Sequence, residues 1–96
     1  MAIAFIFEAD GIGAAEYDGL NDKMGLGTDD ADFPTGLIAH MAGPQGNGWR
    51  VMDVWESEDA ANAFYGSDQF AVVRDDPALA GLRPTPWPLY RVHVEG

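Results

Sequence analysis

Ninety-six residues carry sixteen acidic side chains against one Lys and four Arg, a formal net charge of −11. That balance repels nucleic acid and anionic membrane surfaces, so neither is an expected partner. The lack of cysteine excludes disulfides and thiol chemistry, and a 47% hydrophobic share argues for one folded domain over residues 1–96.

From Ala2 to Glu8, Ile3, Phe5 and Phe7 alternate with Ala4 and Ile6, which predicts a first strand. The apolar start has no basic region and meets Glu8 and Asp10 at once, so a signal peptide or membrane span is not expected. A cytoplasmic location is the default expectation. Asp10-Gly11-Ile12-Gly13 then turns into a helix predicted to run to about Met24, with Gly13, Tyr17, Leu20 and Met24 along one stripe. Lys23 suits the dipole at its end, and Gly25 or Gly27 can terminate it. The same glycines fail as a dinucleotide-binding fingerprint, because Glu16 holds the third glycine position and the chain is too short for a doubly wound sheet. Thr28 to Pro34 (TDDADFP) reads as an acidic loop. Counted from Asp30, the third ligand position of a calcium-binding loop is Pro34, so no calcium site is expected there.

Leu37 to Ala42 and Trp49 to Trp55 predict two strands joined by the turn-rich tract Gly43-Pro44-Gln45-Gly46-Asn47-Gly48. In the second strand Trp49, Val51, Asp53 and Trp55 share one face, and Arg50, Met52, Val54 and Glu56 share the other. Neither face is plainly polar, so both are expected to be covered. Ser57 is a good N-cap for a helix whose first turn holds Glu58 and Asp59, and Ala60, Ala63 and Phe64 continue it at helical spacing up to Gly66. Ser67 can cap a shorter piece, Asp68 to Arg74. Arg83 to Pro88 is too rich in proline for regular structure and reads as a rigid connector, leaving Leu89 to Glu95 as the last strand.

The order βα, ββα, β is that of the split βαβ unit. The expected class is α+β, a ferredoxin-like βαββαβ domain with an antiparallel sheet and two helices on one sheet face. Large apolar groups on the other face imply a second subunit, hence a homodimer.

His40 is the sharpest chemical candidate. With Ala42 set opposite Trp49, His40 faces Val51 and lies diagonal to Asp53, about 7–8 Å away at the backbone. A histidine oriented by a carboxylate works as a general base near neutral pH, although such a pair can also be purely structural. Asp53 among apolar neighbours is costly unless paired. Trp49 and Trp55 lie about 20 Å apart on one strand face, too far to stack on each other. Arg91 shares a face of the last predicted strand with His93 and can hold an anionic group or pair with a carboxylate. No Ser-His-Asp elbow, HExxH or phosphate loop is present, and two His with scattered acids do not form a metal site by spacing. Neither a metal nor a cofactor is expected.

The segment GLIAHMAGPQGNGWRVMDVWESEDAANAFYGS and the closing YRVHV resemble the dimeric α+β barrel superfamily, in particular small proteins similar to antibiotic biosynthesis monooxygenases. The likeness spans nearly the whole chain at fold level, with its motif confined to Leu37 through Phe64. It implies two ferredoxin-like subunits paired sheet against sheet, each with a pocket between sheet and helices. Members oxidise aromatic polyketides without a cofactor, cyclise polyketides, degrade haem, or have no known activity, and fold alone does not choose among them. Haem-degrading members supply an axial His from a helix, whereas His40 and His93 fall on predicted strands, which argues against haem. Trp49, Trp55, Tyr90 and Arg91 are the residue types of the cofactor-free oxygenase pocket. His40 with Tyr17, Tyr65 or Tyr90 matches the His and Tyr of the cyclases. The resemblance therefore implies a cofactor-independent enzyme, leaning towards an oxygenase, that acts on a small aromatic or polyketide-like molecule. His40 and Asp53 would be catalytic, and Trp49, Trp55, Tyr17, Tyr90 and Arg91 would bind substrate. A cyclase or isomerase with His40 as base is one alternative; a non-catalytic ligand-binding or partner-stabilising dimer is the other.

Overall fold

A four-stranded antiparallel sheet organises the chain. The computed structural model describes residues 1–26, 33–79 and 82–94. The TDDADFP reading falls mostly on residues outside these. Within them, β1 (Ile3–Asp10) is central and pairs antiparallel with both β3 (Gly48–Trp55) and β4 (Thr85–Pro88). β2 (Leu37–Gln45) pairs with the far side of β3, giving the order β2-β3-β1-β4. Helix α1 (Ala14–Met24) follows β1, and α2 (Glu58–Tyr65) follows β3. A short α3 (Ala71–Arg74) and a 3₁₀ turn at Pro77–Leu79 lead into β4. The class is α+β and the arrangement ferredoxin-like.

Local chemistry sets the helix ends. Gly25 closes α1 in the left-handed region at φ 75°, and the next N–H, that of Leu26, reaches back to the Asn21 carbonyl at 2.9 Å. Ser57 opens α2 by accepting the Ala60 N–H on its hydroxyl at 3.1 Å. On α2 the buried position is Ala61 and not Ala63, so the helix turns Phe64 and Tyr65 towards the sheet. The piece expected over Asp68 to Arg74 begins as turns, with the helix proper starting at Ala71; Ser67 still accepts the Phe70 N–H.

Two expectations about strands are corrected. The β2–β3 hairpin turns only at Gly46-Asn47, with Gly46 at φ 57°, so Gly43, Pro44 and Gln45 belong to the strand. A two-residue loop with positive φ at its first position matches the twist of the flanking strands, which a six-residue loop would not enforce. The register moves by two residues as a result: Ala42 faces Val51, and His40 faces Asp53 directly. The last strand is also misplaced in the sequence reading. Thr85–Pro88 occupies the slot beside β1, whereas Leu89 to Val94 forms no strand in the described chain. Pro84, Pro86 and Pro88 fall at every second position, where an edge strand turns its N–H away from its only neighbour. The intervening set donates inward, as Leu89 N–H does to Ala2 O at 3.1 Å.

Ile3, Phe5, Trp55 and Ala61 form the buried core between the sheet and α2, with Phe64 and Tyr65 packed on it. Phe5 and Trp55 each meet the Tyr65 ring edge to face, at centroid distances of 5.4 and 5.5 Å. By the strand alternation the opposite sheet face carries Ile6, Met41, Met52, Val54 and Trp87, with the Glu8–Arg50 ion pair at its margin. Met41 and Trp87 are about half exposed there, at 51% and 52%.

Candidate active site

The corrected register builds the site. On the helix-facing side of the sheet, β2 holds His40 across from Asp53 of β3, and α1 lays Tyr17 over them. The side chains form one continuous hydrogen-bonded series. Trp55 Nε1–H donates to the Tyr65 hydroxyl at 2.9 Å, and Tyr65 O–H donates to Asp53 Oδ2 at 2.9 Å. Asp53 Oδ1 meets His40 Nδ1 at 2.5 Å, and His40 Nε2 meets the Tyr17 hydroxyl.

The proton positions follow from what each group can do. An indole only donates, so the Tyr65 oxygen accepts from Trp55 and spends its single proton on Asp53. An ionised carboxylate only accepts, so Nδ1 of His40 carries the hydrogen in that pair. In a neutral ring Nε2 is then an acceptor, and Tyr17 donates to it. Asp53 is 8% exposed and has both oxygens engaged, which is the condition under which a carboxylate can stand in a core. His40 is thereby a ring with a fixed tautomer and its basic nitrogen turned to Tyr17.

A cavity of about 120 Å³, counted by where a water's centre can sit, opens beside this series between the sheet, α1 and α3. One water needs only about 10–15 Å³ on that measure, so there is room for a ligand. Its walls are mainly apolar: Phe7, Leu20, Met24, Phe33 and Phe70 are among them. Tyr17, Asn21, His40 and Asp53 are the polar residues of its lining; Trp49 also lines it, with its Nε1–H fully buried. The Tyr17 ring lies 5.4 Å from that of Trp49 and 6.1 Å from that of His40, and Phe33 lies 5.9 Å from His40.

His40, Asp53, Tyr17, Trp49 and Trp55 all line this cavity. Tyr90 and Arg91 do not. Both are exposed, Tyr90 fully, because the segment that carries them is not the strand beside β1. Tyr65, which the sequence offered only as a possible partner for His40, instead joins Asp53 to Trp55.

No family model matches the chain, and no curated protein matches it. Solved structures do. Rv0793 from Mycobacterium tuberculosis is similar over 97% of this chain and 100% of its own, with a TM-score of 0.73 at 15% identity. SnoaB, a cofactor-independent oxygenase from Streptomyces nogalater, is similar over 98% of both chains in two crystal structures, with TM-scores of 0.68 and 0.62 at 16% and 15% identity. A protein assigned by inference as an antibiotic biosynthesis monooxygenase, from Deinococcus radiodurans, covers both chains fully, with a TM-score of 0.60 at 13% identity. The chain has the fold of antibiotic biosynthesis monooxygenase-like proteins. At these identities the likeness is one of fold.

Burial raises both Tyr17 and Tyr65 above the ordinary tyrosine value of 10.0, and the Asp53 charge adds to the rise in each. The unfolded chain therefore gives up these protons first as pH climbs past 10, unfolding releases protons there, and stability present below pH 10 is lost above it. Denaturant titrations between pH 8 and pH 11 should show this decline, and Tyr65→Phe should flatten it above pH 10. An equally steep decline in the variant would contradict the assignment.

Proposed function

We propose that the protein is an enzyme that takes a proton from a small, mostly apolar aromatic or polyketide-like molecule, and that it is a cofactor-independent oxygenase. The observation that carries this reading is the Tyr17–His40–Asp53 series at the wall of an apolar cavity. The fold shared with SnoaB, described as a cofactor-independent oxygenase, supports it. His40 Nε2 is the base. Tyr17 occupies that nitrogen in the free protein, so the substrate proton passes to the Tyr17 oxygen as Tyr17 hands its own to Nε2. The imidazolium that forms stays beside the ionised Asp53, whose role is to orient the ring and stabilise its charge. The apolar walls keep water from the carbanion. The carbanion gives one electron to dioxygen, and the resulting radical pair combines into a carbon–oxygen bond. The peroxide then takes the proton back from the imidazolium, and loss of water leaves a carbonyl where a CH₂ stood. One oxygen atom enters the product and the other leaves in water.

The same reading makes the chain a homodimer through its open sheet face. Met41 and Trp87 are exposed on its two edge strands, with Ile38 exposed on the same strand as Met41, and half-buried Ile6 and Met52 lie between those edges, apolar surface that a second copy could cover. At micromolar concentration the protein should sediment at twice 10.3 kDa, and Met41→Glu should shift it towards monomer. A wild-type protein that sediments only as monomer would contradict this.

An anthrone, whose CH₂ is acidified by the carbonyl across the ring, tests the chemistry in two stages. Without oxygen, the protein should catalyse exchange of that CH₂ with D₂O, followed by NMR; in air it should consume oxygen. His40→Ala should slow exchange by at least about 10²-fold. Asp53→Asn should slow it less, and exposed His93→Ala should leave it unchanged. Exchange without oxygen uptake would replace the oxygenase by a cyclase or isomerase built on the same base. No catalysed exchange at all would leave only a binding role.

A further inference from the structure

Proton removal by Tyr17 and His40 calls on one oxygen of the Asp53 carboxylate and leaves the other to Tyr65. The Tyr65 ring is held by Phe5, Phe7, Phe64 and Phe70 at centroid distances of 5.0 to 5.8 Å. Phenylalanine would serve that packing as well, so the hydroxyl answers to Asp53 and Trp55. Among the described residues no Lys or Arg forms an ion pair with Asp53. Arg74 of α3 spends its guanidinium on the Tyr65 and Ser67 carbonyls. β1 sets Phe5 across from Asp53, α1 brings Tyr17 to His40, and α2 brings Tyr65 to Asp53. The Asp53 charge is therefore shared between two donors, His40 Nδ1–H and Tyr65 O–H.

We propose that Tyr65 is a positioning residue that sets how strong a base His40 is, acting through the far oxygen of Asp53. This rests on His40 being the base. A hydrogen bond to one oxygen of a carboxylate draws charge from the other, so the two donors compete. A histidine beside a buried carboxylate with no second donor would hold its proton at neutral pH and be lost as a base. With Tyr65 in place, less charge faces Nδ1 before the proton moves, and the carboxylate still meets the imidazolium afterwards. Trp55 reinforces the effect. Its N–H on the Tyr65 oxygen polarises the O–H bond and makes Tyr65 the better donor. Burial holds the Tyr65 proton far above the ordinary tyrosine range, so the hydroxyl stays a donor throughout the neutral range.

The test varies the donor at position 65 and reads His40. Tyr65→Phe removes the donor, whereas 3-fluorotyrosine at position 65 keeps the ring and makes the hydroxyl a stronger one. Proton NMR of the His40 Nδ1–H needs no substrate. That signal should move downfield in Tyr65→Phe and upfield with 3-fluorotyrosine. Exchange of the anthrone CH₂ with D₂O should then give pH profiles that cross. Tyr65→Phe should be about two- to fivefold faster on the high-pH plateau and slower at low pH, because a stronger base also keeps its own proton to higher pH. Should Tyr65→Phe fail to fold, benzothienylalanine at position 55 removes only the Trp55 N–H, and it should move the signal downfield by less. An unmoved Nδ1–H signal, the same direction for a lost and a strengthened donor, or a rate that falls at every pH would overturn the proposal. Signals that move as stated while the wild type exchanges no anthrone proton would uphold the coupling and overturn only the catalytic use of His40.

Discussion

Asp53 is a carboxylate set into an aromatic core, and much of the site follows from the cost of putting it there. An ionised carboxylate removed from water is destabilising by several kcal/mol unless its oxygens are met. Here β2 supplies His40 to one oxygen and α2 supplies Tyr65 to the other. Each partner is then itself committed. Tyr65 must accept from Trp55, which ties the end of α2 to β3, and His40 must present Nε2 to Tyr17, which ties α1 to β2. One buried charge thus links β2, β3, α1 and α2, and the hydrogen-bond polarity runs inward from both ends.

The functional consequence is a histidine whose protonation pattern is decided before any ligand arrives. The ring cannot exchange tautomers without losing a bond to Asp53 or to Tyr17. In the role proposed for His40, this arrangement would require no reorganisation when the proton moves, since the group that would stabilise the imidazolium is already in contact. The cavity complements it by offering apolar walls, which suit an aromatic ligand, and little polar competition for the proton.

Much of this was legible in the sequence where the signal was local. Alternation found β1 and β3, the Tyr17, Leu20 and Met24 stripe found the cavity face of α1, and Ser57 and Gly25 marked helix ends that the structure keeps. The hairpin register was not legible. Six consecutive turn-forming residues contain several possible two-residue loops, and the choice of Gly46-Asn47 belongs to pairing across the whole strand. That choice converts a diagonal His40–Asp53 approach into a direct one. β4 was missed because proline propensity describes chain interiors, whereas an edge strand needs only every second N–H. Leu89 to Val94 alternates like a strand, yet within one chain the slot it would fill is taken. Tyr17, Tyr65 and Tyr90 were equivalent partners for His40 on paper, and only the packing of α1 over the sheet separates them.

The central claim is the state of the His40 ring, and nitrogen-15 NMR of the histidine side chains reads it directly. At pH 8 the wild-type protein should show one ring with a protonated, slowly exchanging Nδ1 and an unprotonated Nε2 that accepts a hydrogen bond. In Tyr17→Phe that Nε2 signal should move to the position of a free acceptor while Nδ1 stays protonated; in Asp53→Asn the fixed tautomer should be lost. A wild-type His40 protonated at Nε2, or averaging between tautomers, would contradict the account.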